Sequence, residues 1–157
     1  MTDSQAFRGR CFCGAVEVEV RGQPVAAAIC HCESCRRWHS APLNTWAVWP
    51  ADRVQVTQGK ELLLEFNKRG PDGPSGRTFC GRCGSAVLNR KLDYNMVVVY
   101  ATVLEGSGLS YKPTFHSFYD EGVMHVADGL SKFADLPEEL GGSGKRLDEP
   151  ERTGMRG

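Results

Sequence analysis

Neither charge is in surplus: Lys plus Arg number 19 and Asp plus Glu number 19, so the formal net charge is zero. A chain without positive excess has little to gather along a phosphate backbone, and nucleic acid is not expected as a partner. Long apolar runs are also missing. No stretch approaches the roughly 18 residues that a membrane span needs, and residues 1–10 carry no apolar segment of the kind a secretion signal requires. No membrane partner is expected, and the cytoplasm is the expected location. Sustained helical periodicity is absent as well, which leaves strands as the expected element. At 157 residues the chain is long enough for one core. A chain of that size buries roughly two thirds of its unfolded surface, so it need not rely on cross-links to fold.

What the chain does have is short β-patterned runs and cysteine. Val16, Val18 and Val20 alternate with Glu17 and Glu19, the period of a strand with one wet face. Further β-like runs fall at 45–49, 54–57, 62–66, 86–88, 96–102 and 114–118, punctuated by Pro50, Gly59, Gly106, Gly108 and Gly122. The expected class is mainly β, with antiparallel strands joined by turns. Residues 70–76 read GPDGPSG, a surface hairpin loop or a mobile flap ahead of a cysteine pair. One domain is expected over 1–140. Residues 141–157 hold one Leu and one Met as their only large apolar side chains and are expected to be a disordered tail.

The seven cysteines are an odd number, and a reducing compartment keeps thiols free, so a disulfide framework is a poor fit. Every one of them lies in a cluster: Cys11 and Cys13 in RCFCG, Cys30, Cys32 and Cys35 in CHCESC, Cys80 and Cys83 in FCGRCG. C-x-C and C-x-x-C spacings let neighbouring sulfurs converge on one ion, and Gly14 and Gly84 permit the tight turn that follows. Tetrahedral zinc takes four protein ligands when structural, and three plus an exchangeable one when catalytic. Seven sulfurs divide as four plus three: Cys11, Cys13, Cys80 and Cys83 on one zinc, Cys30, Cys32 and Cys35 on a second. An iron-sulfur cluster, or one zinc with three idle thiols, are the competing assignments.

These three blocks resemble the glutathione-dependent formaldehyde-activating enzyme family, which includes centromere protein V. Its pattern of C-x-C-G, C-H-C-x-x-C-R and F-C-x-x-C-G is matched at residues 11–14, 30–36 and 79–84, within a compatible stretch of roughly 8–137. The resemblance implies an Mss4-like fold of folded antiparallel sheets, a structural zinc on the outer pairs and a catalytic zinc on the central triplet. It implies a carbon-sulfur lyase resembling S-(hydroxymethyl)glutathione synthase, joining glutathione or a related thiol to formaldehyde or another small aldehyde, or the reverse. The alternative is a zinc-stabilised binding module without catalysis. A third reading, a methionine sulfoxide reductase of the B type, needs a redox cysteine outside its zinc site, and the four-plus-three division leaves none.

Around the triplet, three thiolates on a divalent ion leave a formal charge of minus one, which suits a soft thiol ligand better than hydrolysis. His31 lies between two ligands and is expected to point away from the metal. His39, four residues beyond Cys35, is the residue that would close the site. Arg36 and Arg37 are candidates for holding a substrate carboxylate, with solvated surface arginines as the alternative. His116 and His125 are expected to be packed and hydrogen-bonded. Trp38, Trp46 and Trp49 are expected in the core.

Overall fold

The computed structural model describes residues 5–71 and 73–156. In chain order the strands are β1 (Ala6–Arg10), β2 (Glu17–Arg21), β3 (Ala26–Cys30), β4 (Asn44–Pro50), β5 (Val54–Gln58), β6 (Leu63–Phe66) and β7 (Ser75–Cys80). There follow β8 (Ala86–Lys91), β9 (Met96–Tyr100), β10 (Phe115–Ser117), β11 (Met124–His125), β12 (Ser131–Phe133), β13 (Arg146–Leu147) and β14 (Gly154–Met155). One α-helix, α1 (Glu33–His39), stands between β3 and β4. The protein is mainly β, and among the described residues no helix is long and apolar enough to cross a membrane.

The chain forms two compact units, residues 1–26 with 47–111, and residues 27–46 with 112–157. It passes between them three times, once inside β3 and once inside β4, so neither unit is a continuous segment. In the first unit, β2 pairs antiparallel with both β1 and β5. Val16, Val18 and Val20 are fully buried as their period predicts, but Glu19 is buried too. The wet face expected there is covered: Arg8, opposite Glu19 on β1, donates to its carboxylate at 2.9 Å and Arg21 does so at 3.1 Å. Arg8, and after it Arg21, hold that carboxyl below the usual range. The remaining strands of this unit run β6-β7-β8-β9 as an antiparallel meander. The loop before β7 is a self-bonded hairpin connection, with Asn67 Nδ2 donating to the Gly73 carbonyl at 2.7 Å; Asp72 lies outside the described residues.

The second unit departs from a purely antiparallel pattern. β10 runs parallel to β3 on one side and to β12 on the other, and β13 closes on β12 antiparallel. Its apolar core is small: Ala28, Phe115 and Phe133, with Trp46 and Leu136 against them. Phe115 and Phe133 meet edge to face at 5.8 Å, a geometry that adds to simple burial.

Two expectations are corrected here. Helix α1 exists although no apolar period announces it, because none of its seven residues is buried. It is held at its ends: the Cys32 sulfur accepts from the Cys35 backbone N–H at the start, and Ser40 turns left-handed at the finish. Residues 141–156 are not a loose tail. β13 and β14 pair with β12 and β11, and Arg146 stacks over the Phe133 ring at 5.5 Å. Low apolar content signalled disorder, but this segment is held by backbone pairing and by its charges rather than by burying apolar side chains.

Candidate metal centres

In the first unit, Cys11 follows directly on β1 and Cys80 ends β7. Each opens a knuckle of the same length: Cys11 N–H bonds the Val16 carbonyl at 3.0 Å and Cys80 N–H bonds that of Ser85 at 2.9 Å. Gly14 and Gly84 both take φ of +73°, the left-handed turn that brings the second cysteine of each pair back toward the first. The four sulfurs lie within 4.8 Å of one another. Cys11 and Cys13 are 3.6 Å apart and Cys13 and Cys80 4.0 Å, too far for a disulfide bond, which is about 2.05 Å. With a zinc–sulfur bond of about 2.3 Å, the edge of a ZnS4 tetrahedron is about 3.8 Å, so these spacings fit the ion directly. Desolvation pushes the Cys83 thiol up, but the Ser85 backbone N–H and the hydrogen bonds from Cys13 and Cys80 outweigh it and bring it down to about 6.

The second unit holds the other cluster. Cys30 closes β3, Cys32 caps α1 and Cys35 lies in its first turn, and the three sulfurs again lie within 4.8 Å. Cys30 is buried; Cys32 and Cys35 are partly open. Hydrogen-bonding sulfurs of Cys32 and Cys35, together with burial, push the Cys30 thiol far up. Three such groups shed their protons together only if a cation stands among them. No further His, Cys, Asp or Glu of the described residues joins the cluster, and His39 is not part of it. Both cysteine clusters could therefore hold a metal ion, one with four protein donors and one with three.

His31 is fully buried and reaches away from the sulfurs, into a chain of polar contacts. Its Nε2 lies 2.9 Å from His116 Nδ1, and His116 Nε2 lies 2.9 Å from Asp128 Oδ2. Asp128 also accepts from the buried Lys132 ammonium at 2.7 Å. A carboxylate only accepts, so His116 presents N–H to Asp128 and its lone pair to the N–H of His31. Burial brings His31 down to about 4 and lowers His116, which keeps both rings neutral near pH 7. Tyr119 packs its ring edge-on against both.

Arg36 donates through Nε to the His31 carbonyl at 3.0 Å and through a terminal nitrogen to that of Glu121 at 2.9 Å. Arg37 is largely exposed and pairs with Glu33 one turn back. Trp49 is fully buried with its N–H on the Gly22 carbonyl, and Trp46 packs against Phe115. His125 sits in the short β11–β14 ladder. The sequence singled out the cysteines and His31 but not Asp128, Lys132 or Glu149. Their one local signal is Asp128-Gly129, a turn, followed by Lys132 among apolar neighbours.

The chain has recognisable relatives among known proteins. A curated relative, an uncharacterized lyase of Schizosaccharomyces pombe, is 26% identical over 83 residues, which is 52% of this chain and 55% of that protein. The chain thus spans about half the length of the curated relative it matches. A crystal structure of a Rhodobacter sphaeroides protein superposes with a TM-score of 0.51 at 28% identity, covering 63% of this chain and 88% of that one. The sequence model of the glutathione-dependent formaldehyde-activating enzymes matches residues 6–121, a stretch that contains all seven cysteines, and the chain belongs to that family.

Proposed function

We propose that the protein is a zinc-dependent carbon-sulfur lyase that joins a thiol, glutathione in the first instance, to formaldehyde or a similarly small aldehyde, and runs the reverse reaction. The observation that carries this reading is the three-sulfur cluster with no fourth protein donor among the described residues. The four-sulfur cluster is the structural site in this reading. A zinc ion on three thiolates supplies an exchangeable soft position, at a formal charge of minus one, that favours a thiol as its deprotonated form.

The chain's own residues do the rest. Cys30, Cys32 and Cys35 fix where the substrate sulfur comes to rest. In the forward direction the thiol loses its proton to solvent, its sulfur bonds to the aldehyde carbon, the carbonyl electron pair moves onto oxygen, and a solvent proton completes the hydroxyl. In reverse the hydroxyl loses its proton, the carbonyl re-forms, the carbon-sulfur bond breaks and the sulfur takes a proton from solvent. Arg36 is engaged with two backbone carbonyls and holds the ligand segment to the loop at Glu121. In this reading Arg37, whose ion pair with Glu33 is solvent-exposed and therefore weak, is the arginine that receives a substrate carboxylate.

The test is kinetic. Glutathione and formaldehyde equilibrate with their adduct unaided, and the zinc-loaded chain should speed that exchange several-fold over the spontaneous rate, as read by exchange NMR. A chain that carries both ions and leaves the rate unchanged overturns the lyase reading and returns it to a metal-stapled binding module.

A further inference from the structure

We propose that Glu149, in the C-terminal segment, is a positioning residue for the three-sulfur cluster, acting through Lys132, Asp128 and His116 on His31. This rests on the reading that Cys30, Cys32 and Cys35 hold a metal ion. All of these residues belong to the second unit. Asp128, Lys132 and Glu149 lie beyond the residues that the family model matches.

Glu149 uses its two oxygens for different tasks. Oε1 accepts from the backbone N–H groups of Asp128 at 2.8 Å and Gly129 at 3.0 Å, while Oε2 pairs with the Lys132 ammonium. Lys132 is almost completely buried, and a buried cation needs its full complement of partners. Here those are Glu149, Asp128 and the Leu130 carbonyl at 2.9 Å. Asp128 is thus held at two points, its backbone N–H by Glu149 and its Oδ1 by Lys132. Asp128 in turn orients His116, and His116 orients His31. Because His31 stands between Cys30 and Cys32, a ring held in place holds two ligands in place. The sequence of fixed contacts ends at His31, whose backbone joins the two ligands on either side of it, and partners outside the ligand set can tune a metal site in this way. A second tie comes from Arg156, which donates to the carbonyls of Tyr119 at 2.6 Å and Asp120 at 3.2 Å and lies over the Tyr119 ring that packs on His31.

The experiment is an anaerobic cobalt titration of the full metal-free chain, followed by sulfur-to-cobalt charge transfer, with Cys32→Ser identifying the bands of the three-sulfur site. The unaltered chain should take two equivalents. Glu149→Ala should leave the four-sulfur bands and affinity unchanged and weaken the three-sulfur site roughly tenfold or more, with a shifted spectrum. Glu149→Gln keeps an oxygen for both backbone donors and loses the ion pair, so it should restore part of that affinity. Should Glu149→Ala fail to fold, Glu149→Gln carries the test alone, with a loss at the three-sulfur site only. Equal weakening of both sites, as a purely structural role would produce, overturns the proposal, and so does unchanged binding at both. An unaltered chain that takes up a single equivalent overturns the metal reading of the triplet itself, and the proposal with it.

Discussion

Cys32 holds two positions at once: its sulfur belongs to the three-thiol cluster and also caps α1 by accepting from the Cys35 N–H at 3.3 Å. Serine is a better cap than cysteine and a far poorer zinc ligand. Cys32→Ser should therefore keep the helix, shift the thermal midpoint by no more than a few degrees, and abolish the acceleration of thiol–aldehyde exchange. Cys83→Ser removes a donor from the four-sulfur cluster and should instead lower the midpoint steeply. Thermal melts of the two zinc-loaded variants check this, and equal losses in both would contradict the division of labour. At this scale the sequence was most readable where chemistry demands a spacing, as it does between thiols that must meet one ion. It was least readable at His116 and Asp128, because a hydrogen bond across 12 residues leaves no periodic trace. Glu19 shows the same limit: its alternation marked it as exposed, and only the register of β1 against β2 reveals the arginine that covers it.

The elements themselves were legible in proportion to their side chains. β2, β4 and β9 carry β-branched or aromatic residues at strand spacing and fall where the pattern places them. β3 reads AAAIC and β7 SGRTFC, compositions with little strand preference of their own, and each is a strand because its neighbours offer it partners. β1 is the clearest case of an element chosen for what it permits. A Cβ placed on Gly9 would sit 2.0 Å from the Val103 carbonyl oxygen and 2.9 Å from the Leu104 Cα, both backbone atoms of the turn packed on β1. Neither can swing aside as a side chain would. Gly9→Ala should therefore cost about 3 kcal/mol, at the upper end of overpacking losses, with β1 forced off that turn. Denaturant unfolding measures it; a loss under about 1 kcal/mol would mean that the turn gives way easily.

For the molecule as a whole, what separates the two clusters most sharply is the length of chain that each closes. The four-sulfur site ties Cys13 to Cys80, 67 residues apart, whereas the three-sulfur site spans Cys30 to Cys35. If a metal cross-link removes loop entropy from the unfolded chain as a disulfide does, the first closure contributes about 4 kcal/mol and the second about 2 kcal/mol. Net stabilities of domains are of the order of 5–15 kcal/mol, so the first figure is a large share of the total and the second a modest one. The number of donors points the same way. Four protein sulfurs would hold the first ion and only three the second, so a chelator displaces one donor fewer at the triplet. A chelator added stepwise to the zinc-loaded chain should strip one equivalent quickly, ending the exchange activity with little change in the thermal midpoint. The second equivalent should leave slowly and take cooperative melting of the first unit with it. Simultaneous loss of both ions, or collapse on removal of the first, would show that the triplet also carries the fold.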